Sequence, residues 1–223
     1  MSKLIISLDG PSASGKGLIG SMLATEFSLQ YFQSSLVYRG LAYVCLCKSI
    51  NSDDIRTIIQ LAKDTDIFRA IQGVDLQTEE ISDYSSKISV ISEVRDILGV
   101  YLKKIIASND RVIMEGRDIG TVIAPEAHLK LFITADLQVR AQRRYKQLCL
   151  SGKYCTLSDV LDMMKKRDER DSSRISAPLK AAEEAFALDT SKLSPEEIVD
   201  KIKNYVVNHF NANDLQKMFN LKR

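Results

Sequence analysis

The chain has 223 residues, and 45% of them are hydrophobic, which is enough to build the core of one large domain or of one domain with inserted parts. The formal net charge of +2 gives no long-range basic field, so the composition does not indicate nucleic acid or an anionic membrane as the main partner. The first apolar stretch is too short for a signal peptide and no run has the length of a membrane span, so we expect a soluble, cytoplasmic protein.

A glycine-rich segment lies between the first predicted strand, residues 4–8, and the first predicted helix, residues 18–27. Its sequence is Gly10-Pro11-Ser12-Ala13-Ser14-Gly15-Lys16-Gly17. The spacing Gly-x-x-x-x-Gly-Lys is that of a P-loop, in which backbone N–H groups and the helix N-terminus attract phosphates and the lysine reaches the outer ones. A simple strand-to-helix turn is the alternative, but the flanking strand and helix favour the P-loop and hence a nucleoside triphosphate.

The next part of the chain is predicted to be mostly helical. A short strand or turn at residues 31–35 precedes an apolar helix at 36–50, and residues 51–107 continue with helical spacing after a turn and a helix cap at 51–54. This composition resembles an inserted helical subdomain more than a run of strand–helix units.

Strands and helices then alternate to the end of the chain. Strands are predicted at residues 111–115, 130–135 and 185–189, with a basic helix through Arg140, Arg143 and Arg144 and a helix at 195–209 that begins with a capping box. Alternation of this kind predicts a parallel sheet with functional loops at the carboxyl ends of its strands. Residues 211–223 are predicted to form a frayed tail, with a short extra helix as the alternative.

The cysteines and histidines give no indication of a metal or catalytic site. Cys45, Cys47, Cys149 and Cys155 suit a reducing compartment, and Cys45 and Cys47 are predicted to be packed thiols rather than metal ligands. His128 and His209 are expected at the surface.

A second informative stretch carries three arginines. Arg167, Arg170 and Arg174 are three and four residues apart, so a continuous helix would place them on one face. The alternative is a solvated helix face held by weak pairs such as Arg167 with Asp171. A P-loop enzyme favours convergence, because phosphoryl transfer between two anions needs their repulsion cancelled and arginine offers a rigid, permanently charged fork.

Several segments, taken in chain order, resemble those of the bacterial cytidylate kinases. They are residues 9–16, Tyr38-Arg39, Gly116-Arg117-Asp118-Ile119-Gly120-Thr121, residues 167–179 and Leu188-Asp189-Thr190-Ser191. The resemblance covers about residues 3–207. It implies an α/β P-loop kinase fold with a parallel sheet flanked by helices, in one domain of residues 1–223: a core (about 1–32, 108–150 and 179–210), a monophosphate-binding subdomain (about 33–107), a lid (about 151–178) and the tail.

The resemblance also implies the activity and the site. ATP, with Mg²⁺, would phosphorylate CMP and also dCMP. The implied ATP-binding residues are Gly10, Pro11, Ser12, Ala13, Ser14, Gly15, Lys16, Gly17 and Leu18. The implied CMP-binding residues are Ser34, Tyr38, Arg39, Ser86, Arg95, Arg117, Asp118, Arg167, Asp171 and Arg174. The implied catalytic residues are Lys16, Arg117, Arg170 and Arg174. No general base is required, because the acceptor phosphate, with a second pKa of about 6, is largely ionised at pH 7.

The implied base-reading residues suit cytosine. Its amino group donates, so Asp118 or Ser86 can accept from it, whereas its N3 and O2 accept and match a donor such as Arg95. Uracil would leave a buried acceptor without a partner, which discriminates against it.

Two departures from the family pattern bear on the site, and a lesser one is Ser92, where proline is usual. Leu18 replaces the usual Thr or Ser, so we predict no direct protein ligand for Mg²⁺, which would be held by phosphates and waters with the Ser14 hydroxyl beyond them. Gln33-Ser34-Ser35 replaces the usual Asp-Thr/Ser-Gly, and loss of the glycine is expected to alter the backbone.

Two other functions stay open at this point. One is a P-loop kinase for another small acceptor, and the other is a non-catalytic nucleotide-binding protein, which Leu18 makes conceivable. We expect a monomer that acts on small molecules, without nucleic-acid or membrane partners.

Overall fold

The computed structural model describes residues 2–152 and 154–219, which fold around a five-stranded sheet. The strands are β1 (Leu4–Asp9), β2 (Gln30–Gln33), β3 (Arg111–Gly116), β4 (Leu129–Thr134) and β5 (Phe186–Asp189). Every neighbouring pair is parallel, and the spatial order is β2-β3-β1-β4-β5. This confirms the predicted α/β fold with a parallel sheet.

Ten helices and two π-helical turns occur in the described ranges. The helices are α1 (Lys16–Glu26), α2 (Ser35–Cys47), α3 (Ile55–Asp64), α4 (Ile67–Ala70), α5 (Glu79–Ile88), α6 (Ser92–Ala107), α7 (Leu137–Leu150), α8 (Leu157–Ser173), α9 (Pro195–His209) and α10 (Ala212–Asp214). The turns are Ile119–Ile123 and Leu215–Phe219.

Strand β1 is the centre of the sheet, and all six of its residues are buried. Helices cover both of its faces, as a parallel sheet requires. On one face pack α2, α3, α5 and α6, and on the other pack α1, α9 and the Leu215–Phe219 turn. The P-loop follows directly from β1, so the buried central strand of the sheet holds it.

Helices α7 and α8 form a hairpin with a small core of its own. Ala141 and Leu148 of α7 pack against Val160 and Met164 of α8. A capping box formed by Thr156 and Asp159 starts α8. The predicted lid range of about 151–178 contains α8 but not its packing partner α7, and its boundaries stay a prediction.

The prediction of α9 is confirmed at both ends, Pro195 and His209. The Ser194–Glu197 capping box and Pro195 fix its start. The frayed-tail prediction is wrong for residues 211–219, where the alternative of a short extra helix is confirmed by α10. There Leu215 and Phe219 are buried against the core, and Phe219 makes an edge-to-face contact with Phe27. Residues 220–223 of the predicted tail lie outside the described residues.

The four cysteines are free thiols. Cys45 is buried, as predicted, whereas Cys47 is exposed, so the packed-thiol prediction is wrong for Cys47 because it lies on the solvent side at the end of α2. His128 and His209 are both exposed, as predicted. No helix within the described ranges combines the length and the apolar character needed to cross a membrane.

Candidate active site

The P-loop connects β1 to α1 at the carboxyl edge of the sheet. Gly10 and Gly15 have φ angles of 147° and 96°, which favour glycine. A Cβ atom on Gly10 would lie 1.9 Å from the carbonyl oxygen of Ile133, so only glycine lets β4 pass this close to the loop. Both glycines are therefore required by the backbone, as the P-loop interpretation expects.

Lys16 begins α1, and its side chain is buried. Its Nζ donates to the carbonyl oxygen of Pro11 at 2.6 Å and to the Ser14 hydroxyl at 3.4 Å. Burial, and then repulsion from Arg117, lowers the pKa of Lys16 to about 7. A phosphate oxygen in the loop would reverse this shift, because an opposite charge favours the charged form of a lysine.

The P-loop forms one wall of a cavity of about 570 Å³, which we call the P-loop cavity. Seven of the nine implied ATP-binding residues, 12–18, line it, whereas Gly10 and Pro11 do not. The cationic side chains that line it are Lys16, Arg39, Arg117, Arg143, Arg144, Lys146 and Arg167. A cavity with this many cations suits a polyanion such as a triphosphate.

Leu18 lines the P-loop cavity with 56% of its surface exposed. An exposed leucine beside a phosphate-binding loop provides no oxygen ligand. The Leu18 side chain therefore lies at the cavity, where the family's usual Thr or Ser would present its hydroxyl, and it does not pack into the core.

Glu115 is the one acidic residue among the described side chains that line the P-loop cavity, and the sequence analysis missed it. Its carboxylate accepts a hydrogen bond from the Tyr31 hydroxyl, to which the Gln33 amide donates at 3.0 Å. Burial, and then the charge of Glu115, raises the pKa of Tyr31 above its usual range. The sequence signal was present, since Glu115 ends the apolar run of β3 just before Gly116-Arg117.

A second, narrower pocket of about 60 Å³ adjoins this cavity, and we call it the arginine pocket. The two share Ser35, Glu115, Arg117 and Arg167. Nine of the ten implied CMP-binding residues line the arginine pocket, namely Ser34, Tyr38, Ser86, Arg95, Arg117, Asp118, Arg167, Asp171 and Arg174. The tenth, Arg39, lines the P-loop cavity, where it donates to Gln77 Oε1 at 2.9 Å.

Ion pairs fix the arginines of this pocket. Arg95 Nη2 contacts Asp118 Oδ2 at 2.5 Å, and Arg117 Nε contacts Asp171 Oδ2 at 3.1 Å. Burial alone would raise the pKa of Asp171, but Arg117 and the neighbouring arginines outweigh it and hold that pKa below its usual value. The pocket therefore presents carboxylates and guanidinium groups that are already paired and in place.

Several buried polar atoms of the arginine pocket have no hydrogen-bond partner within the described residues. They are Tyr38 Oη, Ser86 Oγ, Arg167 Nε and Arg174 Nη2, although the last lies 3.7 Å from Asp118 Oδ1. Buried polar groups are usually satisfied in folded proteins, so a cluster of unsatisfied ones indicates a polar ligand.

Arg170 is the one implied catalytic residue that lies outside both the P-loop cavity and the arginine pocket. Its Nη2 contacts Asp83 Oδ1 of α5 at 2.9 Å. The pair of Arg167 with Asp171, expected for a solvated helix face, is not formed, since Arg167 donates to Ser82 Oγ at 3.0 Å and Asp171 pairs with Arg117. The arginine-rich segment thus points Arg167 and Arg174 inward and Arg170 toward α5.

The loss of glycine at position 35 does not distort the backbone, contrary to expectation. Ser35 is the first residue of α2, and Ser34 before it has an ordinary right-handed conformation, so neither needs a positive φ. The Ser34 side chain is buried at the arginine pocket, as the resemblance implies.

Comparison with known proteins agrees with this arrangement. A family model described as cytidylate kinase matches residues 6–208. The chain belongs to the cytidylate kinase family. Curated cytidylate kinases of Rickettsia rickettsii (strain Sheila Smith) and Rickettsia felis are 51% and 52% identical over 203 residues, each covering 91% of both chains.

Solved structures support the fold of this cytidylate kinase family member. A shikimate kinase from Bacteroides thetaiotaomicron superposes with a TM-score of 0.50 at 10% identity over 92% of this chain and 99% of its own. An uncharacterized protein from Eubacterium ventriosum gives a TM-score of 0.54 at 16% identity, over 93% and 100%. At such low identity these two likenesses bear on the fold alone.

Proposed function

We propose that this protein transfers the γ-phosphoryl group of ATP to CMP, and also to dCMP, forming ADP and the corresponding diphosphate. The observation that carries the proposal is the shared wall of the two sites. Arg117 and Arg167 line both the P-loop cavity and the arginine pocket, so a triphosphate in one and a monophosphate in the other would meet across them. The bond between the β,γ-bridging oxygen and the γ-phosphorus breaks as an acceptor phosphate oxygen bonds to that phosphorus.

In this proposal the arginines neutralise the charge of the two reacting phosphates and hold them in alignment. The reacting oxygens both carry negative charge, and fixed guanidinium groups cancel their repulsion without reorganising. Lys16 neutralises the outer phosphates, and Arg174 with Arg117 holds the acceptor phosphate. Arg170 acts on the transferring group only after it leaves Asp83, which requires movement of α8 relative to α5.

The paired side chains of Arg95 and Asp118 would read the base. Because they contact each other, they present donor N–H groups and acceptor oxygens side by side, the pattern that cytosine complements at its amino group, N3 and O2. The unsatisfied Ser86 hydroxyl provides a further partner.

The residues present also fit Mg²⁺. This ion keeps several waters and prefers oxygen ligands, and Glu115 and Ser14 offer a carboxylate and a hydroxyl to such waters at the P-loop cavity. When bound, the ion neutralises charge on the triphosphate oxygens. We further propose a cytoplasmic monomer that acts on these small molecules without nucleic acid or membrane.

Separate variants of the two cavities test the proposal. Arg174 lines only the arginine pocket, so Arg174→Ala should raise the KM for CMP about 30-fold or more while the KM for ATP stays within about threefold. Arg143 lines only the P-loop cavity, so Arg143→Ala should show the opposite pattern. Steady-state kinetics with each substrate varied would decide, and equal effects of both variants on both substrates would contradict the assignment.

A non-catalytic nucleotide-binding role is the second candidate, and exposed Leu18 in the P-loop cavity is the observation that favours it. It would be supported if ATP binds with Mg²⁺ by calorimetry while no diphosphate forms from any monophosphate. A P-loop kinase for another small acceptor would instead transfer phosphate to that compound and leave CMP unchanged.

A further inference from the structure

Asp9 joins the P-loop strand to the loop that carries Arg117 and Asp118. It is the last residue of β1, its side chain is buried, and the residue is only 4% exposed. Its Oδ1 accepts from the backbone N–H of Ile119 at 2.9 Å and its Oδ2 from that of Gly120 at 2.7 Å. These are the first two N–H groups of the Ile119–Ile123 turn, which have no partner within a helical turn.

The residue that would ordinarily cap this turn is Asp118. It occupies the N-cap position, yet its side chain makes no capping hydrogen bond. Aspartate at such a position commonly accepts from the N–H groups of the first turn. Here both of its oxygens face arginines instead, Oδ2 toward Arg95 and Oδ1 toward Arg174.

We propose that Asp9 is a positioning residue for the acceptor nucleotide: by capping the Ile119–Ile123 turn in place of Asp118, it leaves the Asp118 carboxylate free to pair with Arg95 in the arginine pocket. The inference rests on the proposed function for its kinetic consequence and on geometry alone for the capping. Two carboxylates thus divide two tasks that one aspartate cannot perform together.

The capping role needs a side chain that accepts through two oxygen atoms, one for each N–H donor, and an ionised carboxylate at position 9 meets this need. Burial raises the pKa of Asp9 to about 6, against the lowering effect of the two N–H donors and of Lys16, and Asp118 adds to the increase. The Ser7 hydroxyl lies beside the same turn, since a Cβ on Gly120 would be 2.6 Å from it. An asparagine at position 9 could accept through one atom only, and its amide N–H₂ would face a second N–H donor.

The kinetic test uses Asp9→Asn, Asp118→Asn, the double variant and a control. In Asp9→Asn, Asp118 becomes the better cap and leaves Arg95, so we expect the KM for CMP to rise about tenfold and the preference for CMP over UMP in kcat/KM to fall about fivefold, with the KM for ATP within about threefold. The matched control is Asp54→Asn, which removes another carboxylate that accepts from a backbone N–H, at the start of α3. We expect both KM values of that variant to stay within about twofold of the wild type.

Because Asp9 acts through Asp118 in this account, Asp9→Asn should change the CMP preference little in the Asp118→Asn background. An Asp9→Asn variant that raises both KM values equally, or whose effect on the CMP preference multiplies with that of Asp118→Asn, would overturn the proposal.

A measurement on the wild-type protein without substrate keeps the proposal testable if Asp9→Asn does not fold. The amide resonances of Ile119 and Gly120 should titrate together between pH 5 and 7.5, with a midpoint near the pKa of about 6 given by burial of Asp9. Amide resonances of these two residues that do not shift while the Asp9 carboxyl itself titrates would contradict the capping. Failure of the wild type to phosphorylate CMP would instead overturn the proposed function and leave this result intact.

Discussion

Leu18 and Glu115 face the same P-loop cavity and have opposite consequences for a hydrated metal ion. In the proposed function, Leu18 would place carbon where a hydroxyl could reach the ion, and Glu115, whose Oε2 would lie 3.7 Å from a Cβ on Gly17, would supply a carboxylate. A carboxylate contributes full charge at a distance, whereas a hydroxyl contributes one short dipolar contact. In the proposed function, the affinity for Mg²⁺ therefore depends on whether the missing hydroxyl at Leu18 or the carboxylate of Glu115 has the larger effect.

Replacement of Leu18 by threonine tests this dependence. Leu18→Thr adds a hydroxyl in the cavity that could contact the ion, so we expect about tenfold higher activity at subsaturating Mg²⁺, which corresponds to roughly 1.4 kcal/mol of affinity, and little change at saturation. Leu18→Val is the matched control, since valine has the shape of threonine without its oxygen. If valine and threonine behave alike, the hydroxyl does not act through the metal.

At the scale of elements, the contact between α5 and α8 decides where Arg170 points. Asp83 holds Arg170 and also pairs with Lys87 at 2.9 Å, while Arg144 of α7 pairs with Glu79 near the start of α5. These contacts bring the arginine-rich helix against the helical subdomain but keep one implied catalytic arginine away from the P-loop cavity. Release of Arg170 begins when its partly exposed ion pair with Asp83 breaks.

Removing the charge of Asp83 should favour release of Arg170. The pair is 28% and 42% exposed on its two sides, so it is expected to contribute only about 0.5 kcal/mol, and Asp83→Asn should raise kcat/KM for ATP about twofold. The gain should disappear at high ionic strength, where the pair is already screened. Glu80→Gln, which removes an exposed charge of α5 that forms no ion pair within the described residues, is the control and should show no gain.

Most helices and strands could be predicted because their signals lie close together in the sequence. Contacts between residues that are distant in the sequence could not be predicted in this way. The P-loop and α9 could be placed from sequence because their glycines, lysine and capping box lie within a few residues of one another. Cys47 and the Leu215–Phe219 turn were misjudged because burial depends on packing partners elsewhere in the chain. The capping of Gly120 by Asp9 spans 111 residues and the pairing of Arg170 with Asp83 spans 87, so neither has a local pattern.

At the scale of the whole molecule, the two sites lie at the carboxyl edge of one sheet and are covered by separate helical parts. The P-loop follows β1, and the neighbouring strand β3 contains Glu115 and is followed by Arg117, so the register of Asp9 beside Gly116 fixes one site relative to the other. The α7–α8 hairpin has its own small core beside this edge, and the predicted lid (about 151–178) contains α8. Closure would exclude water, which otherwise competes as a phosphoryl acceptor.

Limited proteolysis tests closure of the predicted lid. Trypsin cleavage within residues 151–178 should slow several-fold when CMP and a non-hydrolysable ATP analogue are both present, and less with either alone, because both ligands are needed to bridge the cavities. Cleavage at Lys217, outside the lid, serves as the internal control. Cleavage of the lid that is unchanged by both ligands together would contradict a mobile lid.

The most direct measurement of the central claim is a competition between acceptors. The wild-type protein is incubated with Mg²⁺, ATP labelled at its γ-phosphate and equimolar CMP, dCMP, UMP and AMP, and the labelled products are separated. We predict that most label enters CDP, with dCDP second and UDP and ADP minor. Label that enters mainly UDP or ADP, or that appears only as free phosphate, would contradict the account.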